Sequence, residues 1–225
     1  MTIRNHLFYQ GLFLFSLLLA LLVPCHVNAA IGDVTVLKSF PAPNTSPDGI
    51  TTDGTYLYVS ECESDIIYKL SPEDGSVQGS LKVSGWMIDH LTWDGQFIWA
   101  NDHDGKSVIF KIDIAKKAAV EQFKVPWQGV MGVAWDGSKI WTMDPYNLKV
   151  YTIDPVAKTA EYKFKTPSNN PCGIGWDGKC VWIGDLTTKR YYQVDPATGN
   201  VAANFKIPGN ATALPTGILW DGEYF

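Results

Sequence analysis

With 225 residues, 18 basic and 23 acidic side chains, the chain carries a net charge of −5, a balance that disfavours a polyanionic partner such as nucleic acid. No HExxH, glycine-rich phosphate loop or CxxC occurs, nor a nucleophile with a neighbouring base, so the common sequence signatures of catalysis are missing.

The chain opens with Arg4 ahead of an apolar run, Leu12–Val23, broken only by Ser16. That run is too short to span a bilayer comfortably. Val27-Asn28-Ala29 offers small or modest residues for a signal peptidase, so 1–30 reads as a secretory leader cleaved near Ala29 or Ala30. The expected product is secreted or periplasmic, with no transmembrane segment left; an uncleaved anchor is the alternative, and Cys25 follows a proline, a poor lipoprotein context. Cys62, Cys172 and Cys180 then remain and are expected to be buried or loop thiols.

Val34–Phe40 reads as a lone outer strand that closes a ring of later units. Those units are marked by Asp53-Gly54, Asp94-Gly95, Asp136-Gly137, Asp177-Gly178 and Asp221-Gly222, at intervals of 41, 42, 41 and 44 residues. Four residues before each Asp stands Gly49, His90, Gly132, Gly173 or Gly217. Immediately before it comes Thr52, Trp93, Trp135, Trp176 or Trp220, and five after it Tyr58, Trp99, Trp141 and Trp182. Glu61, Asp102, Asp144 and Asp185 follow at the eighth position. A period near forty with about four short strands per unit is the signature of an all-β propeller. Asp-Gly suits a tight primed hairpin turn. Four complete blades are expected over 47–83, 88–125, 130–166 and 171–207, with a partial one over 215–225. The expectation is therefore a ring of five or more blades of which this chain holds a part.

The pattern G-[IV]-x-W-D-G-x-x-[IV]-W-x-x-D, then an Ile/Val-Tyr strand and D-P-x-x-G, resembles repeats of the NHL and YVTN type. It is also similar to the secreted propellers grouped with virginiamycin B lyase and the SMP-30/gluconolactonase family. These shared residues build blades, so the resemblance implies fold more than activity. The resemblance also implies a functional face formed by the loops that enter the first strand and join the second to the third.

On that face, the repeated acids are expected to cap loops by accepting backbone N–H bonds. Departures from the repeat are more informative. His90 replaces glycine and follows Asp89, Asp48 matches Asp89 one unit earlier, and the second unit's loop reads Asn101-Asp102-His103-Asp104. Asp48, Asp89, Glu61 and Asp102 are candidate ligands for Ca²⁺ or Mg²⁺, with His90 and His103 as candidate general bases or acids. Trp86 and Trp127 stand outside the aromatic register and, with Asn101, Tyr146 and Asn169, are candidates to hold a small molecule, a sugar or a peptide. Three functions follow: an extracytoplasmic binding or scaffold module, the reading the absent motifs favour; a metal-assisted lyase or lactonase; and a glutaminyl cyclotransferase-like enzyme.

Overall fold

The computed structural model describes residues 36–207 and 216–225; the expected leader and the 208–215 connection lie outside them. Sixteen strands form four antiparallel sheets of four, each in sequence order. The first blade holds β1 (Pro47–Thr52), β2 (Leu57–Glu61), β3 (Ile66–Leu70) and β4 (Val77–Lys82). The second holds β5 (Ile88–Trp93), β6 (Ile98–Asp102), β7 (Val108–Asp113) and β8 (Ala118–Lys124). The third runs through β9 (Met131–Trp135), β10 (Ile140–Asp144), β11 (Lys149–Asp154) and β12 (Thr159–Lys165). The fourth comprises β13 (Pro171–Trp176), β14 (Val181–Asp185), β15 (Arg190–Val194) and β16 (Val201–Lys206). The molecule is a β-propeller. No helix occurs among the described residues, hence none long and apolar enough to cross a membrane.

Each blade buries its faces against its neighbours. Tyr58, Ile67 and Leu81 of the first meet Leu91, Ile98 and Phe110 of the second. Trp99, Ile109 and Phe123 meet Val133, Ile140 and Ile153, and Trp141, Val150 and Phe164 meet Ile174, Val181 and Ile183. Residues of both parities are covered in such a stack, so β6, β10 and β14 are buried along their whole lengths. The outer strands β8 and β12 keep a single buried anchor, Phe123 or Phe164, among exposed neighbours.

The Asp-Gly pair is used differently from the expected central turn dipeptide. Gly54, Gly95, Gly137, Gly178 and Gly222 all have positive φ, from 86° to 106°, but the Asp occupies the corner before the turn, which leaves Gly at the first central position. Its side chain does the rest. Asp136 Oδ1 accepts the N–H groups of Ser138 and Lys139 at 2.8 and 2.7 Å, and Oδ2 accepts Trp141 Nε1–H at 2.8 Å. Asp94 and Asp177 hold Trp99 and Trp182 in the same way, and Asp53 holds the Tyr58 hydroxyl. The spacing Asp-x-x-x-x-Trp is thus a clamp between a turn and the inter-blade core. We expect Asp136→Ala, which strips acceptors from four donors, the Ser138 hydroxyl included, to cost about 2 kcal/mol, measurable as a lower urea midpoint at unchanged m-value.

The fifth unit contributes an inner segment. A Cβ on Gly175 would touch Ile218, and one on Gly217 would lie 2.7 Å from the Asp48 carbonyl oxygen, so residues 216–220 sit between β13 and β1. Asp221 forms the repeat's turn, accepting from Glu223 and Tyr224, and Phe225 packs on Trp182 at 4.3 Å. Residues 216–225 form no strand. The expected closing strand is likewise unpaired over 36–40. There Lys38 Nζ donates to the Pro72 carbonyl, and Phe40 occupies the space beside Gly75. An outer strand needs a third strand to pair with, and the described part of the fifth unit supplies none. Of the three expected thiols, Cys62 is half-buried and Cys172 buried, whereas Cys180 is disulfide-bonded instead of a thiol.

Candidate functional site

Five inner segments surround the axis and enclose a channel of about 130 Å³. Ile50, Leu91, Val133, Ile174 and Ile218 ring it, and Trp93, Trp135, Trp176 and Trp220, each two residues further along its segment, complete the lining. At its upper rim stand the residues that precede the repeat glycine: Asp48, Asp89, Met131, Cys172 and Thr216. Glycine recurs just inside the rim because neighbouring inner strands approach closely there. A Cβ on Gly49 would lie 2.7 Å from Leu91 N, and one on Gly173 would overlap the Thr216 carbonyl oxygen.

His90 breaks that rule by reaching across the axis. Its Nε2 lies 3.3 Å from Thr216 O of the fifth unit and 3.6 Å from where a Cβ on Gly173 would stand. In a ring of five, the fourth and fifth units lie opposite the second, so the imidazole caps the channel. The residue is only 4% exposed.

The cap is held by a buried network. His90 Nδ1 faces Asp89 Oδ1 at 3.1 Å, an ion-pair contact without hydrogen-bond alignment. Asn101 Nδ2 donates to Asp89 Oδ2 at 2.8 Å and to the Val130 carbonyl at 3.0 Å, while its Oδ1 accepts the His90 N–H at 3.3 Å. Ser60 Oγ accepts the Gly49 N–H at 2.7 Å and donates to the Asp89 carbonyl. From the solvent side, His103 Nδ1 stands 3.7 Å from Asp89 Oδ1 with its ring half exposed.

Charges in this network compete. Burial works against the Asp89 carboxylate, but His90, His103 and Asn101 outweigh it and hold the group well below the ordinary carboxylate range. Burial likewise opposes a charged His90, and Asp89 overrides it, lifting the imidazole to about 9. His103 is raised by its contact with Asp89. Asp48 is raised by burial and by repulsion from Asp89, and the Cys62 thiol donates to it. Burial, then Asp48, pushes that thiol up to about 11, and burial pushes Cys172 to about 12. At neutral pH the mouth therefore holds a carboxylate balanced by a buried imidazolium, beside a carboxyl reluctant to ionise and a solvent-facing imidazole.

Asp48, Asp89 and His103 each present one ligand atom within 4.8 Å of the others, a spacing compatible with a single cation. The donor set fits one poorly, because both oxygens of Asp89 already face groups outside it: the His90 imidazole on Oδ1 and the Asn101 amide on Oδ2. Glu61 and Asp102 do not join the set. Asp102 accepts the Asp104 N–H and faces Lys106, and burial lifts it to about 6. Among the repeated acids, Asp102, Asp144 and Asp185 cap their loops through backbone N–H bonds of 2.7–3.0 Å. Glu61 has a buried oxygen without a partner.

The loop aromatics stand apart from the cluster. Trp86 stacks on Phe110 at 4.8 Å with Lys106 over its ring, and Trp127 stacks on Tyr151 at 4.1 Å; each covers a third-strand aromatic of the following blade. Tyr146 and Asn169 are exposed on the loops of the third and fourth blades. Asn101 is fully buried, with both polar atoms engaged inside the protein. Sequence reasoning overlooked Ser60, although Ser60 and Asn101 share the seventh position after the repeat Asp, where the other units have Met143 and Gly184. The Thr216 carbonyl left no sequence signal, because any residue could supply it.

No family model matches the chain, and no curated protein matches it in sequence. Solved structures match it in fold. Glutaminyl cyclase from Myxococcus xanthus aligns with a TM-score of 0.68 at 14% identity, covering 82% of this chain and 85% of that one. A streptogramin B lyase aligns with a TM-score of 0.53 at 17% identity, covering 80% of this chain and 61% of the lyase. Both likenesses are of fold, consistent with the NHL and YVTN type of propeller.

Proposed function

We propose that the upper channel mouth is an acid–base site acting on a small polar substrate outside the cytoplasm, and that intramolecular aminolysis of the glutaminyl cyclase kind is its reaction. The convergence of Asp48, Asp89 and His103 around one solvent-facing point carries this reading. In such a reaction the α-amine of an N-terminal glutamine attacks its own γ-amide carbon. A C–N bond forms, the amide C–N bond breaks, ammonia leaves, and one proton passes from the attacking nitrogen to the departing one. His103, with Nδ1 turned to Asp89, is placed to take that proton at Nε2, and Asp48, held toward its neutral form, is placed to return one. Structural likeness to a glutaminyl cyclase supports the choice of reaction.

The test is pyroglutamate formation on a glutamine-initiated peptide, followed by ammonia release. Turnover is expected to fall by 10²-fold or more in His103→Ala and to survive EDTA unchanged. Loss on chelation with recovery in Ca²⁺ or Mg²⁺ would favour the metal-assisted lyase or lactonase reading instead. Saturable binding without turnover would return the site to a ligand-binding module.

A further inference from the structure

We propose that Asn101 is a positioning residue, which pins Asp89 so that one carboxylate oxygen faces His103 and fixes that ring as the Nδ1–H tautomer, with Nε2 bare toward solvent. The inference rests on the acid–base reading above but is tested apart from it.

Asn101 is fully buried, and its amide is used at both ends. The –NH₂ spans Asp89 Oδ2 and the Val130 carbonyl of the next blade, and the carbonyl oxygen takes the backbone N–H of His90. This orientation is the one the network requires, since a flipped amide would aim its –NH₂ at a backbone donor and its oxygen at a carboxylate. A carboxylate with one oxygen tied down can no longer rotate freely, so Oδ1 stays directed at the two histidines. His90 faces it from the buried side at 3.1 Å and cannot move without losing Thr216. His103 is half exposed and not packed in, so a small rotation of its ring closes the 3.7 Å gap. A ring nitrogen hydrogen-bonded to a carboxylate carries the proton, and the other is left as the acceptor. Asp48 is the remaining carboxyl close to both partners. Its reluctance to ionise leaves Asp89 as the stronger acceptor.

The experiment is ¹⁵N NMR of imidazole-labelled, ligand-free protein, at a pH where His103 is neutral, in wild type, Asn101→Ala and Asn101→Ser. Wild type should show the Nδ1–H pattern for His103. Asn101→Ala should shift it toward the mixture of tautomers found in free imidazoles, and serine, the residue that fills this position in the first blade, should restore part of it. On the glutamine peptide, kcat should fall 10- to 100-fold in Asn101→Ala with KM little changed. An unaltered tautomer in a folded Asn101→Ala protein would overturn the proposal. So would an altered tautomer with wild-type kcat in a protein that turns over. If the wild type has no turnover, the acid–base reading fails while the tautomer result still decides the role of Asn101.

Discussion

Gly173→Ala is expected to lose 3 kcal/mol or more of stability, at or above the upper end of the usual cost of overpacking. The added methyl would overlap the Thr216 carbonyl oxygen. That atom belongs to a backbone that also touches the first blade through Gly217 and Ile50, so it cannot withdraw without disturbing the contact that links the last inner segment to the first. The Thr216 carbonyl is also the acceptor for His90 Nε2. Displacing it should therefore loosen the channel cap as well as the blade spacing. Gly79→Ala is the matched control: it lies on outer strand β4, and no atom would come within 4 Å of its Cβ. Its midpoint should move by no more than about 0.5–1 kcal/mol, and upward, because alanine restricts the unfolded chain more than glycine does. Equal midpoints for the two variants in urea unfolding would refute the close-approach account of the rim glycines.

The same glycines show how far sequence alone could go. Repeat length and strand order were legible, because a propeller repeats its packing problem and so repeats its solutions, whereas the choice of face came from the family resemblance. Asp136, Trp141 and Gly137 recur because each blade needs the same clamp and turn. The acid cluster was legible only as a set of departures, Asp48, Asp89, His90 and His103, since a residue needed once leaves no period. Two things escaped. Glu61 and Asp102 occupy the repeated acid position, and nothing in their spacing says that one caps a loop while the other keeps an unpartnered oxygen. Asn101 looked like a ligand contact because loop asparagines are commonly exposed. It is buried because the backbone N–H at position 90 and the Asp89 carboxylate both need a partner there, as the Gly49 N–H needs Ser60 one blade earlier. Loop tryptophans were ambiguous for a related reason, since stacking on Phe110 or Tyr151 depends on the next blade and not on neighbours in sequence.

The largest effect is expected from Asp89→Asn, and pH separates its causes. In the wild type the folded His90 pKa is raised to about 9 from an ordinary 6.5. Its contribution to stability is thus fully present below about 6.5 and is lost as pH rises through 9, on the order of 3 kcal/mol by linkage. The folded Asp89 pKa is depressed, so its contribution is present above the ordinary carboxylate value and is lost as pH falls. Together they place maximal stability between about pH 4 and 6.5 as far as this pair decides it. Asparagine at position 89 keeps the shape but removes the charge, which leaves a buried imidazole beside a neutral amide. Burial, the first of the effects on His90, is then opposed only by the lesser pull of Asp48 and Thr216, which drives the ring toward its neutral form. Breaking a buried pair in this way costs about 3–5 kcal/mol when the surviving group must stay charged, so the loss should be largest in mild acid. Stability of the variant should rise with pH through the region of 6.5, opposite to the wild type, because its unfolded state now binds the extra proton. Urea midpoints measured from pH 5 to 9 test the pair directly. Parallel profiles for the two proteins would show that Asp89 and His90 are not coupled and would remove the electrostatic basis of the channel cap.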